Sequence, residues 1–309
     1  MFWRPWATPE PLPPFQVALV RLTTVDEQTV AGFKAAMLAA GYREGERIRY
    51  LDQGPAGSID RLDAIIQTHL RARPNLFLVS STPATQAVQR MSRESGIPIV
   101  FAPVNDPLEA GIVDNLKHPG GQITGVRLPT GDDLRLHWLR KIVPGARRVW
   151  VPYTPEDRSA HATLARIRDA APGLGVNLLE QPVSGEREVK AALAAMQADV
   201  DAIFLPRDSS IESHIELFVE FALQRRLPLS APSLIQVEAG ALFSYGFVHG
   251  EVGQQAAHLA EQIIKGVSPG DLPVQMAENV LSINLATARR IGIDIPDTIL
   301  LQAERIVRE

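Results

Sequence analysis

The sequence predicts an α/β protein whose parallel sheets are divided between two lobes. Three observations carry that prediction. Four apolar, strand-like runs end directly in helix-capping residues, two before residue 110 and two after residue 148. Strand-like and helical patterns alternate along nearly the whole length, as expected for βα units and right-handed crossovers. Three breaks interrupt the alternation, at 118–126, at 244–250 and before Val280. Three passages between two lobes would make each lobe discontinuous in sequence.

The strand candidates are 17–22, 76–81, 97–104, 123–126, 148–153, 176–182, 202–206, 227–231, 241–245 and 280–285. Several are unbroken apolar runs, the mark of strands covered on both faces. Between the first two, Val30, Phe33 and Met37 share a helical face that Gly41 would stop. Leu62, Ile65, Ile66 and Leu70 repeat the pattern in the next helix. The four junctions then place Thr82-Pro83, Asp106-Pro107, Thr154-Pro155 and Asp208 at strand ends. Pro suits the first helical position, and Thr or Asp before it can cap the free N–H groups. Asp106 and Glu109 have the spacing of a capping box, and Thr130-Gly131-Asp132-Asp133 could open another helix in the same way. In a parallel sheet these turns lie at the carboxyl ends of the strands, where ligands bind, and each helix start favours an anion.

Composition narrows the function classes. A chain of 309 residues suits two domains of about 120–150 residues each. With 45% hydrophobic and 21% charged residues it has a globular composition, and its net charge of −4 shows no basic patch for nucleic acid. It has no cysteine, which excludes disulfides and thiolate chemistry. None of the seven histidines forms a metal-binding motif, and P-loop, nucleophile-elbow and dinucleotide fingerprints are absent, so neither a metal nor another cofactor is expected. No apolar run is long enough to span a membrane. The first fourteen residues carry five prolines and no signal-peptide core, and read as an extended leader to the first strand.

Segments 31–48, 78–90, 97–113, 118–126, 226–246 and 283–296, in that order and spacing, resemble the ABC-transporter substrate-binding proteins of the tryptophan/tyrosine-binding type. The resemblance runs from residue 17 to about 305. It implies the type I periplasmic-binding-protein fold, two Rossmann-like lobes joined by three hinge crossings. The first lobe would hold 15–125 with 248–277, the second 126–247 with 278–309. It also implies a non-enzymatic solute-binding protein in the periplasm or outside the cell. Such a protein captures a small polar ligand, an amino acid or other carboxylate, for an ABC permease. The lipoprotein cysteine usual near the mature N-terminus of the family is absent. A ligand-sensing domain of a receptor is the alternative, and an enzyme on the same plan the weakest reading. A monomer is expected, since no heptad seam marks an obligate interface.

The resemblance carries site residues over one at a time. The end of the first strand contributes Thr23 and Thr24. The Gly-Thr-Pro-Ala turn of the family appears as Ser81-Thr82-Pro83-Ala84, and its Asp-Pro as Asp106-Pro107. Glu156 and Ser159 keep the positions of a Glu and a Ser that contact the ligand, while Arg158 stands in place of an Asn. Pro206-Arg207-Asp208-Ser209 matches a Pro-x-Asp-Asn without its Asn. These two departures point away from an aromatic amino acid. With Tyr245 near a hinge, the expected ligand contacts are Thr23, Thr24, Ser81, Thr82, Asp106, Glu156, Ser159, Asp208 and Tyr245. A ligand carboxylate would lie at Ser81-Thr82, with its cationic end against Asp208 or Glu156. Arg158 and Arg207 could also enter the cleft and favour a more acidic ligand.

Overall fold

The computed structural model describes residues 13–309, so most of the expected proline-rich leader lies outside the described residues. Its strands, in chain order, are β1 (Phe15–Val20), β2 (Ile48–Asp52), β3 (Leu76–Val79), β4 (Ile99–Val104), β5 (Ile123–Arg127), β6 (Arg148–Tyr153), β7 (Asn177–Pro182), β8 (Ala202–Phe204), β9 (Leu229–Ser233), β10 (Phe243–Phe247), β11 (Gln275–Met276), β12 (Val280–Asn284) and β13 (Arg305–Val307). The helices are α1 (Glu27–Ala39), α2 (Ile59–Ala72), α3 (Thr82–Ser92), α4 (Asp132–Ile142), α5 (Arg158–Leu174), α6 (Gly185–Ala194), α7 (Ser209–Glu212), α8 (Ile215–Arg225), α9 (Leu234–Glu238), α10 (His249–Ile264), α11 (Leu285–Ile291) and α12 (Asp297–Leu300).

Two separate sheets result, one ordered β11-β5-β4-β3-β1-β2 and the other β13-β12-β10-β9-β8-β6-β7. The period of two along each strand builds a core on both faces. Val17, Leu19, Leu76, Leu78 and Val100 join one buried cluster with α1 and α10. Their neighbours Ala18, Val20, Phe77, Val79 and Ile99 join another with α2 and α3. The second sheet is covered likewise, Val149 and Val151 facing one cluster and Trp150 the other. This is why the strands read as continuous apolar runs. The architecture is the expected pair of Rossmann-like lobes. The chain passes between them after β5, after β10 and after β11.

All ten expected strands form, β6 with the expected bounds and the others with shifted ends. Three more were not legible. β2 is largely exposed along one edge, β11 has two residues, and β13 is short and partly exposed, so none presents an apolar run. The expectation of parallel pairing fails at one place, because β10 and β12 pair antiparallel. Strand β12 enters after only a short link from β11, too short for a crossover helix. The 106–113 segment is a set of turns and no helix, although the Asp106 carboxylate does accept the Leu108 and Glu109 N–H groups at 3.1 Å. Thr130 does not cap α4, whose N-cap is Gly131. The helix expected after β6 starts late, with Asp157 rather than Thr154 as its cap.

Helices α1 and α10 approach closely through glycine. A Cβ on Gly253 would lie 2.0 Å from the Thr29 carbonyl oxygen, and one on Gly32 would lie 2.1 Å from that of Gly250. Gly253→Ala should therefore destabilise the protein by about 1–3 kcal/mol through overpacking. Gly250→Ala, whose new methyl meets nothing within 4 Å, should be neutral or slightly stabilising. Chemical denaturation of the two variants checks this.

Candidate functional site

The carboxyl ends of both sheets face each other across a cleft. Three adjoining chambers make it up, and Thr82 lines all of them. The inner chamber is bordered by Thr23, Asp26, Ser81, Asn105, Arg207, Glu212 and His249. The middle one adds Asp106, Thr130, Asp132, Arg158, Ser159 and Thr163. The outer mouth adds Leu22, Ile59, Pro83 and Glu156.

A buried ion network forms the second-lobe wall. Asp132, the first residue of α4, is 1% exposed. Its carboxylate accepts Arg207 Nε and Arg135 Nη2, both at 3.2 Å, and the Thr163 hydroxyl at 3.3 Å. Burial alone would raise its pKa, but the adjacent guanidinium groups of Arg207 and Arg135 outweigh that and hold it below the usual range. Arg135 lies over the Phe204 ring at 3.9 Å and reaches no solvent. Arg207 sits just beyond β8, and Asp132 binds it only through Nε. Among the described residues neither of its terminal nitrogens has a partner, and the side chain is buried. Arg207 borders the inner and middle chambers, and a guanidinium fork matches a carboxylate in bidentate geometry.

Opposite it, the first-lobe turn at Ser81 is strained. Ser81 has φ +78°, a conformation that costs a non-glycine residue roughly 1–3 kcal/mol. It is Ser81, not Thr82, that caps α3; its hydroxyl accepts the Ala84 N–H at 3.5 Å. Thr82 opens the helix and faces the cleft.

The other expected contacts divide. Ser159 and Asp106 border the middle chamber, and Glu156 is exposed at the mouth. Thr23 reaches the inner chamber and donates to Asp26 at 3.4 Å. Thr24 is exposed in the following turn and borders none of the three chambers. Tyr245 packs its ring on Trp138, with centroids 6.2 Å apart. Asp208 is fully buried as the cap of α7. It accepts the N–H groups of Thr154, Ser210 and Ile211 and the Thr154 hydroxyl, at 2.7–3.1 Å. Three of these donors meet Oδ1 and one meets Oδ2, so the carboxylate already braces the surrounding backbone.

Sequence reasoning missed Asp26, Asn105, Asp132, Thr163, Glu212 and His249 as cleft groups. For Asp132 and Arg207 there was a signal: charged residues immediately beside buried strand ends. For Asp26 and Glu212 there was none, because only the fold brings them to the inner chamber.

A family model described as ABC transporter substrate binding protein matches residues 19–307. The chain is 27% identical over 263 residues to a tyrosine-binding protein of Clostridioides difficile (strain R20291), covering 85% of this chain and 76% of the relative. It superposes on a conserved domain protein of Vibrio cholerae with a TM-score of 0.87 at 28% identity, covering 94% of this chain and 99% of that one. A Streptococcus pneumonia ABC domain in complex with L-Trp also gives a TM-score of 0.87, at 21% identity, covering 96% and 100% of the two chains.

Two predictions follow from the electrostatics. Asp132→Ala should strip two buried guanidinium groups of their counterion and cost about 3–5 kcal/mol, measured by denaturant unfolding. The second concerns pH. Burial pushes Glu212 up to about 8 and Asp26 up to about 6. The folded protein thus holds these protons more tightly than the unfolded chain, whose carboxyls titrate near 4. The resulting stabilisation is full below pH about 4 and is lost as pH rises through 6 and then 8. Melting temperature should decline over that window, and Glu212→Gln should flatten the decline between about pH 6 and 8.

Proposed function

The chain belongs to the ABC transporter substrate-binding protein family, and from that premise we propose that it captures a small carboxylate, an amino acid or another organic acid, in the cleft between its lobes. The observation that carries this is the Arg207 guanidinium, buried at the border of the inner chamber, fixed by Asp132 through Nε and with both terminal nitrogens unpartnered among the described residues. The N-terminus of α3 at Ser81-Thr82 faces the same space and adds the positive end of the helix dipole. Asp208 serves as a brace between the starts of α7 and the loop after β6. The family and relatives support a carboxylate: the tyrosine-binding relative and the L-Trp complex both name amino acids.

Capture works by hinge rotation with no chemical step. The lobes are 15–125 with 248–277, and 126–247 with 278–309, rotating about the three passages. The filled, closed form would then engage a permease on the outer side of a membrane, as a monomer.

A thermal-shift panel of the twenty L-amino acids, benzoate and simple aliphatic carboxylates should yield at least one stabilising probe. For that probe, Arg207→Gln should weaken binding roughly 10- to 150-fold by calorimetry, the equivalent of one or more charge-assisted hydrogen bonds at about 1.5–3 kcal/mol each. Thr82→Ala should have a smaller effect. An Arg207→Gln affinity within twofold of wild type would place the carboxylate elsewhere. Small-angle scattering with the same probe should show a smaller radius of gyration, and sedimentation at micromolar concentration a single monomeric species.

A further inference from the structure

The two lobes also touch outside the ligand cleft. On one flank the first lobe presents α1 and α10, locked together where Gly32 meets Gly250 and Gly253 meets Thr29. The second lobe presents α9 and β13, which lie against each other. Two polar contacts cross between these surfaces. Arg305 of β13 donates from Nη2 to Glu251 Oε1 of α10 at 2.9 Å. Gln28 of α1 donates from Nε2 to Glu238 Oε2 of α9 at 3.5 Å.

The Arg305–Glu251 pair is set apart by its position. Every other ion pair among the described residues lies within one lobe, and this one joins the two. Arg305 is fixed to the second sheet by the pairing of β13 with β12, where it stands opposite Ser282. Glu251 is the third residue of α10, just beyond the second passage of the chain between lobes. Neither residue borders any of the three chambers of the cleft. The inner and middle chambers measure about 40 and 30 Å³, room for roughly two to four water molecules each. The conformation that carries the ion pair is therefore one in which the lobes stand nearly closed.

Resting on the reading that the lobes rotate about their three passages, we propose that Arg305 and Glu251 form a latch that biases the empty protein toward the closed form, with Gln28 and Glu238 as its second point. Each lobe has its own core, so the angle between them is decided by a small balance of contacts and not by the stability of either lobe. The side chains of Arg305 and Glu251 are 45% and 46% exposed. Such a pair adds little to folding, but it shifts a two-state balance roughly twofold to fivefold. That is strong enough to set the share of closed molecules and weak enough to let them open. Because α1 and α10 move as one block, the contact at Gln28 is made and broken together with the ion pair. Solvent reaches both charges, so salt loosens the latch.

The test reads the distance between lobes directly. The chain has no cysteine, so Gln67→Cys on α2 and Arg187→Cys on α6, both exposed, place one spin label on each lobe. Pulsed electron resonance then gives the weights of short and long separations without ligand. At 0.01 M salt, where screening reaches only beyond about 30 Å, the short separation should dominate more than at 1 M, where it begins at about 3 Å. Arg305→Gln should move the short-to-long ratio twofold to fivefold toward long at low salt and remove most of its salt dependence. Arg305→Glu should move it further, and adding Glu251→Arg to that variant should restore it. Two populations whose weights ignore both salt and the variants would overturn the latch and leave the hinge standing. A single population in every sample, with and without the amino acids and carboxylates of the thermal-shift panel, would overturn both.

Discussion

The cleft depends on one buried interaction, the grip of Asp132 on Arg207. A guanidinium taken out of water is costly unless its charge is met, and most of that cost returns when a carboxylate meets it with good geometry. Asp132 supplies the charge from behind and leaves the front of Arg207 unsatisfied. Arg135 completes the balance on the far side, stacked on Phe204, so that one carboxylate faces two guanidinium groups. The unpartnered terminal nitrogens of Arg207 are what make the second-lobe wall attractive to an anion. The start of α4 sits where the chain has just left the first sheet, so the network also ties one passage between the lobes to the ligand wall.

Much of the fold was legible because its signals are local. Unbroken apolar runs such as Leu76-Phe77-Leu78-Val79 announce a strand covered on both faces, and the Val30, Phe33 and Met37 stripe announces a helix. Edge strands such as β2 gave no such signal, since one side needs no apolar cover. The cleft was legible in location and less so in chemistry. Strand-end residues were rightly expected to gather there, as Thr82, Asp106 and Ser159 do. Residue type alone did not distinguish a side chain that faces the cleft from one that braces it. Asp208 and Arg207 are neighbours in the chain, yet one is consumed by four protein donors and the other is left with free nitrogens. Which is which depends on the loop after β6 folding back over α7, a contact between distant segments.

Ser81 illustrates a related point. A side chain at a backbone angle that favours glycine signals a constraint from outside the local sequence. Here the hydroxyl caps α3 while the following residues face the ligand space, so the strained turn both starts the helix and sets its direction into the cleft.

The glycine-mediated contact between α1 and α10 has a consequence for the order in which the molecule can assemble. Val252, Ala256, Ala257, Leu259, Ala260 and Ile263 of α10 complete the apolar cluster around Val17, Leu19 and Phe33. Those residues leave the ribosome only after most of the second sheet has been made. The amino-terminal lobe, first to be synthesised, must wait with one face of its sheet covered only by α1 until the chain returns to it. Domains usually fold in the order they emerge. In this topology the second lobe can gather β6 to β10 while the first is still incomplete. The first lobe is thus the more exposed to misassembly during synthesis.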